Sequence, residues 1–204
     1  MFFSVVYYRP IGNNLEGKFE KVCLNSGFGM KILLNEIQIN QILDSISRDI
    51  VADLGSRKKL VVIGIRSRGE ILAQRLCRQL SQTMKKEIPC GTLDITLYRD
   101  DIHDPQGAVQ PQVRTTEIDF DINDTTVLLV DDVLHTGRSV RAALDALTDL
   151  GRPKAIRLAV LVDRGSHELP IHADYVGLRS EIPEDETVLV QLQETDQIEQ
   201  VTVE

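Results

Sequence analysis

The stretch VLLVDDVLHTGRS, residues 127–139, runs four apolar residues into two adjacent carboxylates, Asp131 and Asp132, and then into a small polar turn, His135, Thr136, Gly137, Arg138 and Ser139. A helical pattern follows the turn, so its backbone N–H groups and the helix dipole suit a phosphate. Thr136 and Ser139 can add hydroxyl donors, and Gly137 lets the backbone approach closely. The carboxylates precede this cradle by three to five residues, which sets them about one sugar ring from a bound phosphate. There they would accept hydrogen bonds from ribose hydroxyls or sit beside a hydrated magnesium ion, a hard cation that prefers oxygen. Because neighbouring strand residues point to opposite faces, both meet one ligand only if the strand ends at Asp131. An acidic strand end followed by a helix cap is common by itself; the combination points to a ligand with hydroxyls or a cation at one end and a phosphate at the other.

A second turn, GIRSRG at 64–69, places Arg66 and Arg68 around Ser67, with Gly69 opening the next helical pattern. Two guanidiniums with backbone donors suit another anionic group such as a pyrophosphate, although a solvated basic turn would look the same. Residues 99–124, with Pro105, Gly107 and Pro111, show little apolar periodicity. A segment this long inside a domain is expected to be a lid or disordered.

These turns need strands to carry them. LVVIGI at 60–65, VLLV at 127–130 and AIRLAVLV at 155–162 are continuous apolar runs of the kind buried on both faces of a sheet. TLDITLY at 92–98 alternates as a further strand, and VLVQL at 188–192 with IEQVTV at 198–203 reads as a hairpin or edge strands. Between them, Ile39, Ile42, Leu43, Ile46, Ile50 and Leu54 fall at helical spacing, with Asn35 as a candidate N-cap and Gly55 just past the end. Residues 70–80 and 139–150 read as two more helices, the latter closed by Gly151 and Pro153. Strands alternating with helices give right-handed crossovers and an α/β fold with a mainly parallel central sheet. Ligands in such sheets bind beyond the carboxyl ends of the strands, where the turns at Arg66, Arg99, Asp131 and Asp163 all fall.

The chain has 204 residues, 42% of them hydrophobic, and a formal net charge of -8. That fits one domain of 31–204 behind an irregular or disordered extension of 1–30, and gives no global nucleic-acid footprint. Within the extension, GNNLEGKF at 12–19 has P-loop spacing but offers Phe19 where a Ser or Thr must bind magnesium, so the match is read as chance. Met30 is an alternative start, since the well-patterned chain begins there. Cys23, Cys77 and Cys90 are widely spaced, which argues for reduced thiols in the cytoplasm rather than a disulfide framework or a zinc site. No apolar run reaches membrane-spanning length, and the start lacks the basic region and cleavage site of a signal peptide.

The segments GIRSRG, LDITLYRDDI (93–102), VLLVDDVLHTGRSVRAALDAL (127–147) and GRPKAIRLAVLVDRGSHELPIHADYVG (151–177) resemble the type I phosphoribosyltransferases. Within them they are most similar to the PyrR family, bifunctional pyrimidine-operon attenuation regulators and uracil phosphoribosyltransferases. The resemblance implies a type I phosphoribosyltransferase fold with a flexible loop over the active site. It also implies Mg²⁺-dependent transfer of ribose 5-phosphate from phosphoribosyl pyrophosphate (PRPP) to uracil, giving UMP and diphosphate. By the same resemblance Asp131, Asp132 and Arg99 are catalytic. Ser67, Arg68, Asp131, Asp132, Val133, Leu134, His135, Thr136, Gly137, Arg138 and Ser139 bind PRPP, and Arg164 and the backbone around Val188 bind uracil. Tyr98, Arg99 and Asp100 belong to the closing loop. Magnesium is expected mainly on substrate oxygens, near Asp131 and Asp132, with no dedicated protein site. His135 stands where the family usually has an aromatic, a change expected to be tolerated by a cradle built of backbone N–H groups.

The resemblance further implies a homodimer or larger homo-oligomer and uridine-nucleotide-dependent binding of pyrimidine-operon mRNA. For RNA the first helix offers Asp44, Ser45 and Arg48. The run GLRSEIPEDE at 177–186 puts Leu178 where the family usually has a lysine, adds Glu181, Glu184, Asp185 and Glu186, and His167 and His172 replace arginines. Fewer cations mean weaker phosphate contacts. The residues leave room for an RNA-binding regulator with weak catalysis and for a phosphoribosyltransferase of another base. A phospho-receiver domain also has paired acids after a strand, but it leaves the turn at 136–139 unexplained.

Overall fold

A computed structural model describes residues 4–10, 19–25, 31–55, 59–100 and 113–204, with backbone only for the first two segments. Five parallel strands form the central sheet in the order β5-β4-β6-β7-β8. They are β4 (Leu60–Ile65), β5 (Cys90–Leu93), β6 (Thr126–Leu134), β7 (Ala155–Asp163) and β8 (Tyr175–Arg179). Helices α1 (Glu36–Leu54) and α2 (Arg68–Met84) cover one face and α3 (Arg138–Leu150) the other. The apolar runs of β4, β6 and β7 are buried because both faces are covered.

A smaller antiparallel sheet stands beside it, in the order β3-β10-β9, from β3 (Lys31–Asn35), β9 (Val188–Gln191) and β10 (Gln200–Val203). The expected hairpin at the tail is therefore present, with the short helix α4 (Gln193–Asp196) between its strands and β3 added to its far edge. Leu33, Val190, Val201 and Val203 share a core with α1, α2, Leu128 and Leu161, so the two sheets bury one continuous apolar region. Asn35 ends β3 and caps α1: its Oδ1 accepts from the Gln38 N–H and its own N–H donates to Gln38 Oε1, both at 3.0 Å.

Within the extension expected to be irregular over 1–30, the described residues 4–10 and 19–25 are strands. β1 (Ser4–Pro10) and β2 (Phe19–Asn25) pair antiparallel from Ser4 with Asn25 to Pro10 with Phe19, and β1 lies against β8. Each carries the β-branched and aromatic residues that favour strands, such as Val5, Val6, Tyr7 and Tyr8. Most of the P-loop-like run at 12–19, and Met30, lie outside the described residues.

Three further differences bear on the site. The strand expected at 92–98 stops at Leu93, because Asp94 turns the chain: its Oδ1 takes the Thr96 N–H at 3.1 Å and hydroxyl at 2.6 Å, and Thr96–Tyr98 becomes a 3₁₀ turn. The segment expected to be structureless is tied down over 113–124, where Thr92 and Glu117 exchange backbone hydrogen bonds of 2.9 and 2.8 Å and Ile122 is buried; 101–112 lie outside the described residues. Finally, β6 does not end at Asp131 but runs on to Leu134.

Candidate functional site

Parallel strands bring all their carboxyl ends to one edge, and backbone bonds lock the turns leaving that edge together. The Arg66 N–H donates to Leu93 O at 3.0 Å, Arg164 to Leu134 O at 3.0 Å, and Ser180 to Asp163 O at 2.9 Å. The turns after β4, β6 and β7 thus line up side by side, as the spacing of the motifs requires.

The turn after β4 meets β6 at Gly69. A Cβ there would stand 2.6 Å from Val130 O and 3.2 Å from Asp131 Oδ1, so only glycine lets α2 start this close to β6. The Arg66–Ser67 peptide is cis. Ser67 is the N-cap of α2 without a side-chain cap bond. Arg68 reaches across to Asp196 on α4 at 2.9 Å, and Arg66 bonds Glu117 at 3.0 Å and Thr115 O at 2.9 Å. The two guanidiniums are therefore positioned by residues far along the chain, and neither is a loose basic turn.

Asp131 and Asp132 both belong to β6, so the requirement that the strand stop at Asp131 is corrected. The face alternation itself fails at this point: Val130 and Val133, three residues apart, pack on the same core. The Asp132 N–H donates to Asp131 Oδ1 at 3.0 Å and the Val133 N–H to Asp132 Oδ1 at 2.9 Å. Each carboxylate so holds its neighbour's backbone. Asp131 is buried and Asp132 half-buried above it. Burial pushes the Asp131 carboxyl well above the usual carboxylate range, the charge on Asp132 pushes the same way, and the positive field of Arg99 partly offsets them. Arg99, the third expected catalytic residue, follows the 3₁₀ turn, and its positive charge is felt at Asp131.

Val133 and Leu134 offer backbone rather than side chains, Leu134 being fully buried in the sheet. The turn then opens at His135 and Thr136, both half-buried. Gly137 caps α3 with φ +89°, a left-handed conformation suited to glycine, and the Thr136 hydroxyl accepts from the Arg138 N–H at 3.3 Å. The helix start at 138–140 leaves its first-turn N–H groups directed at this edge. Arg138 itself turns aside: its Nη1 donates to Asp100 at 2.8 Å, while Nε and Nη2 donate to Glu168 at 2.9 and 2.6 Å. Ser139 lies half-buried in the first turn of α3.

Arg164 is placed differently from a ligand-facing side chain. It is 5% exposed, and its guanidinium donates to the carbonyls of Glu186 at 3.0 Å, Pro183 at 2.7 Å and Ile182 at 3.4 Å. It braces the segment that leads into Val188 and so joins the two positions expected around the base. Sequence reasoning puts Asp163 at this edge without giving it a role, and it misses Asp196. Asp163 accepts from the Gly165 N–H at 3.1 Å and bonds His167 Nε2 at 2.8 Å; the DRGSH spacing is a usable signal for that pair. Asp196, 128 residues from Arg68, carries none.

No helix among the described residues is long and apolar enough to cross a membrane, and no three His, Cys, Asp or Glu side chains among them cluster to hold a metal. Cys77 and Cys90 are free thiols.

A helix-covered parallel sheet with paired acids and a glycine-capped turn at its carboxyl edge is the architecture of a type I phosphoribosyltransferase, and a profile of the phosphoribosyl transferase domain matches residues 30–196. Solved hypoxanthine phosphoribosyltransferases share the fold. That of Trypanosoma cruzi gives a TM-score of 0.62 at 20% identity over 85% of this chain and 95% of its own, and that of Staphylococcus aureus 0.62 at 19% over 84% and 90%. Closer in sequence, the bifunctional protein PyrR of Limosilactobacillus fermentum is 52% identical over 162 residues, 79% of this chain and 90% of that protein. Its counterpart in Deinococcus radiodurans is 52% identical over 80% and 88%, and that of Bacillus cereus 49% over 84% and 96%. The chain belongs to the PyrR family.

Proposed function

We propose that the chain transfers ribose 5-phosphate from PRPP to N1 of uracil, releasing UMP and diphosphate, and that it also acts as a uridine-nucleotide-dependent regulator of pyrimidine-operon mRNA. The observation that supports the transferase reading is the close approach of Gly69 to Val130 O and Asp131, which brings the Ser67–Arg68 turn against the carboxylate pair that leads into the turn at 135–139. A sugar bridging two phosphate-bearing ends fits that spacing.

In this reading the backbone at 136–139 holds the 5-phosphate, with the Thr136 and Ser139 hydroxyls beside it. Asp132, the more accessible carboxylate, accepts from the ribose hydroxyls, and Asp131 supports it from below. Ser67 and Arg68 hold the departing diphosphate. As the C1–O bond to diphosphate breaks and the bond to N1 forms, with the N1 proton passing to the released diphosphate or to water, positive charge grows on the ribose ring and negative charge on the leaving group. Acids beside the ring and a guanidinium beside the leaving group match that pattern. The adjacent carboxylates suit a magnesium ion nearby, carried mainly by substrate oxygens. When bound, magnesium supplies charge neutralisation on the diphosphate. Arg164 holds the segment 182–186 in place, and the backbone around Val188 that follows it would meet the edge of the pyrimidine.

The test is product formation from PRPP with uracil, cytosine, hypoxanthine and guanine. UMP from uracil alone is expected, and Asp132→Ala should lower kcat/KM by roughly 100-fold or more with the fold intact. Preference for a purine would overturn the base assignment, and full activity of the variant the site assignment.

A further inference from the structure

The phosphate turn is poorly supplied with charge for a dianion. Arg138, its own arginine, is engaged by Glu168 and Asp100. Arg141, one turn along α3, donates to Tyr98 O at 2.8 Å and Asp145 at 2.9 Å. Arg164 is buried on the carbonyls of 182–186. The helix dipole offers only about half a charge.

His135 stands at the head of the same turn with its backbone pinned on both sides. Leu134 O is taken by the Arg164 N–H at 3.0 Å, and Thr136 O by the N–H groups of Glu168 and Leu169, both at 3.1 Å. The loop after β7 thus wraps the backbone of the turn on which the half-buried His135 stands. The charged and titratable groups facing it are Arg164 and His167 on the positive side and Glu168 and Glu184 on the negative. His167 is itself bonded to Asp163 and lies 5.5 Å from the His172 ring.

We propose that the His135 imidazole is a phosphate-positioning group of this site, which takes up a proton as the phosphate arrives and so supplies the charge the turn lacks. In the free protein, burial first and then Arg164 hold its pKa below the ordinary histidine value, so it is neutral near pH 7. A phosphate dianion beside it reverses the local field and favours the imidazolium. Because the complex then binds the proton more tightly than the free protein, affinity for the phosphate ligand must rise as pH falls through the pKa of the complex, levelling off below that of the free protein. Each unit by which binding raises the pKa gives about a tenfold change in affinity.

This inference rests on the reading that the turn holds the 5-phosphate of a nucleotide. The test is titration calorimetry of UMP near pH 7 in buffers of different ionisation enthalpy, on the full chain, His135→Asn, His135→Phe and His167→Asn, with uridine as the phosphate-free ligand. The titration of the UMP phosphate is common to every variant and cancels. The wild type is expected to take up more protons per UMP than either His135 variant, His167→Asn to keep that excess, and uridine to show none. Retention of the full excess in both His135 variants overturns the role of His135 while leaving the phosphate site standing. Failure of UMP to bind the wild type overturns the site reading and this inference together. NMR titration of the His135 ring, free and with UMP, gives an independent readout: its pKa must rise on binding.

Discussion

At the level of single residues, the carboxylate pair shows why a site is legible from sequence while its geometry is not. Two adjacent acids after an apolar run are visible as letters; that one is buried and one accessible follows from a break in face alternation that letters do not carry. Asp131 has a consequence for stability. Its folded-state pKa is raised above the unfolded value of about 3.9, so the folded chain binds the proton more tightly. Its favourable contribution is complete below that value and is lost as pH rises toward the folded pKa. Asp131→Asn keeps an oxygen for the Asp132 N–H and removes the buried charge. The variant should therefore unfold at a higher temperature than the wild type near neutral pH, with the gap closing in acid, while kcat/KM falls. A Tm gap that stayed constant with pH would contradict the assignment.

Elements supply what the residues cannot do alone. The parallel run β4, β6, β7 is readable because doubly covered strands are continuously apolar, and α1 because its spacing, cap and terminal glycine agree. TLDITLY misleads because its alternation resembles a strand until Asp94 captures Thr96 and, at 2.6 Å, the Arg114 N–H. β8 escapes the pattern because Gly177 interrupts a short apolar run; a Cβ there would stand 2.6 Å from Leu161 O and closer still to Ile42 Cγ2, so α1 can cross the sheet only over glycine. The coupling of α2 to the small sheet has no sequence signal. Arg75 on α2 bonds Glu194 at 2.5 Å and 2.9 Å and also Glu199, whose side chain is 5% exposed. Arg75→Met leaves the buried Glu199 carboxylate with the Gln193 N–H but without the Arg75 cation, which should cost roughly 3 kcal/mol. At this chain length that lowers Tm by roughly 6–12 °C in a thermal melt. Adding Glu199→Gln should recover part of the loss, since paired residues are not additive; two independent losses would show that the ion pair is not the linkage.

For the whole molecule, the parts common to the family and the parts particular to this chain separate cleanly. The family profile begins at residue 30, so the β1–β2 hairpin stands outside it. A chain starting at Met30 should keep the kcat/KM of the full chain for PRPP and uracil; a large loss would mean that the hairpin supports the catalytic edge through β8. The regulatory activity depends instead on surface charge, and there this chain is acidic, with 31 Asp and Glu against 23 Lys and Arg. Leu178, where the family usually has a lysine, is buried on β8 and offers nothing to a phosphate backbone, and Asp44 on α1 is hydrogen-bonded to Gln79 at 2.8 Å. Each phosphate left without a cation takes about 0.9 from the slope of log affinity against log salt for duplex nucleic acid, and about 0.7 for single strands. Binding of pyrimidine-operon leader RNA in a gel shift should therefore require UMP, be confined to low salt and show a shallow salt slope. Leu178→Lys should not steepen it, because that side chain points into the core. No UMP-dependent shift at low salt would leave a transferase without the regulatory partner, and a steep slope would mean that RNA meets cations on a face other than α1 and 177–186.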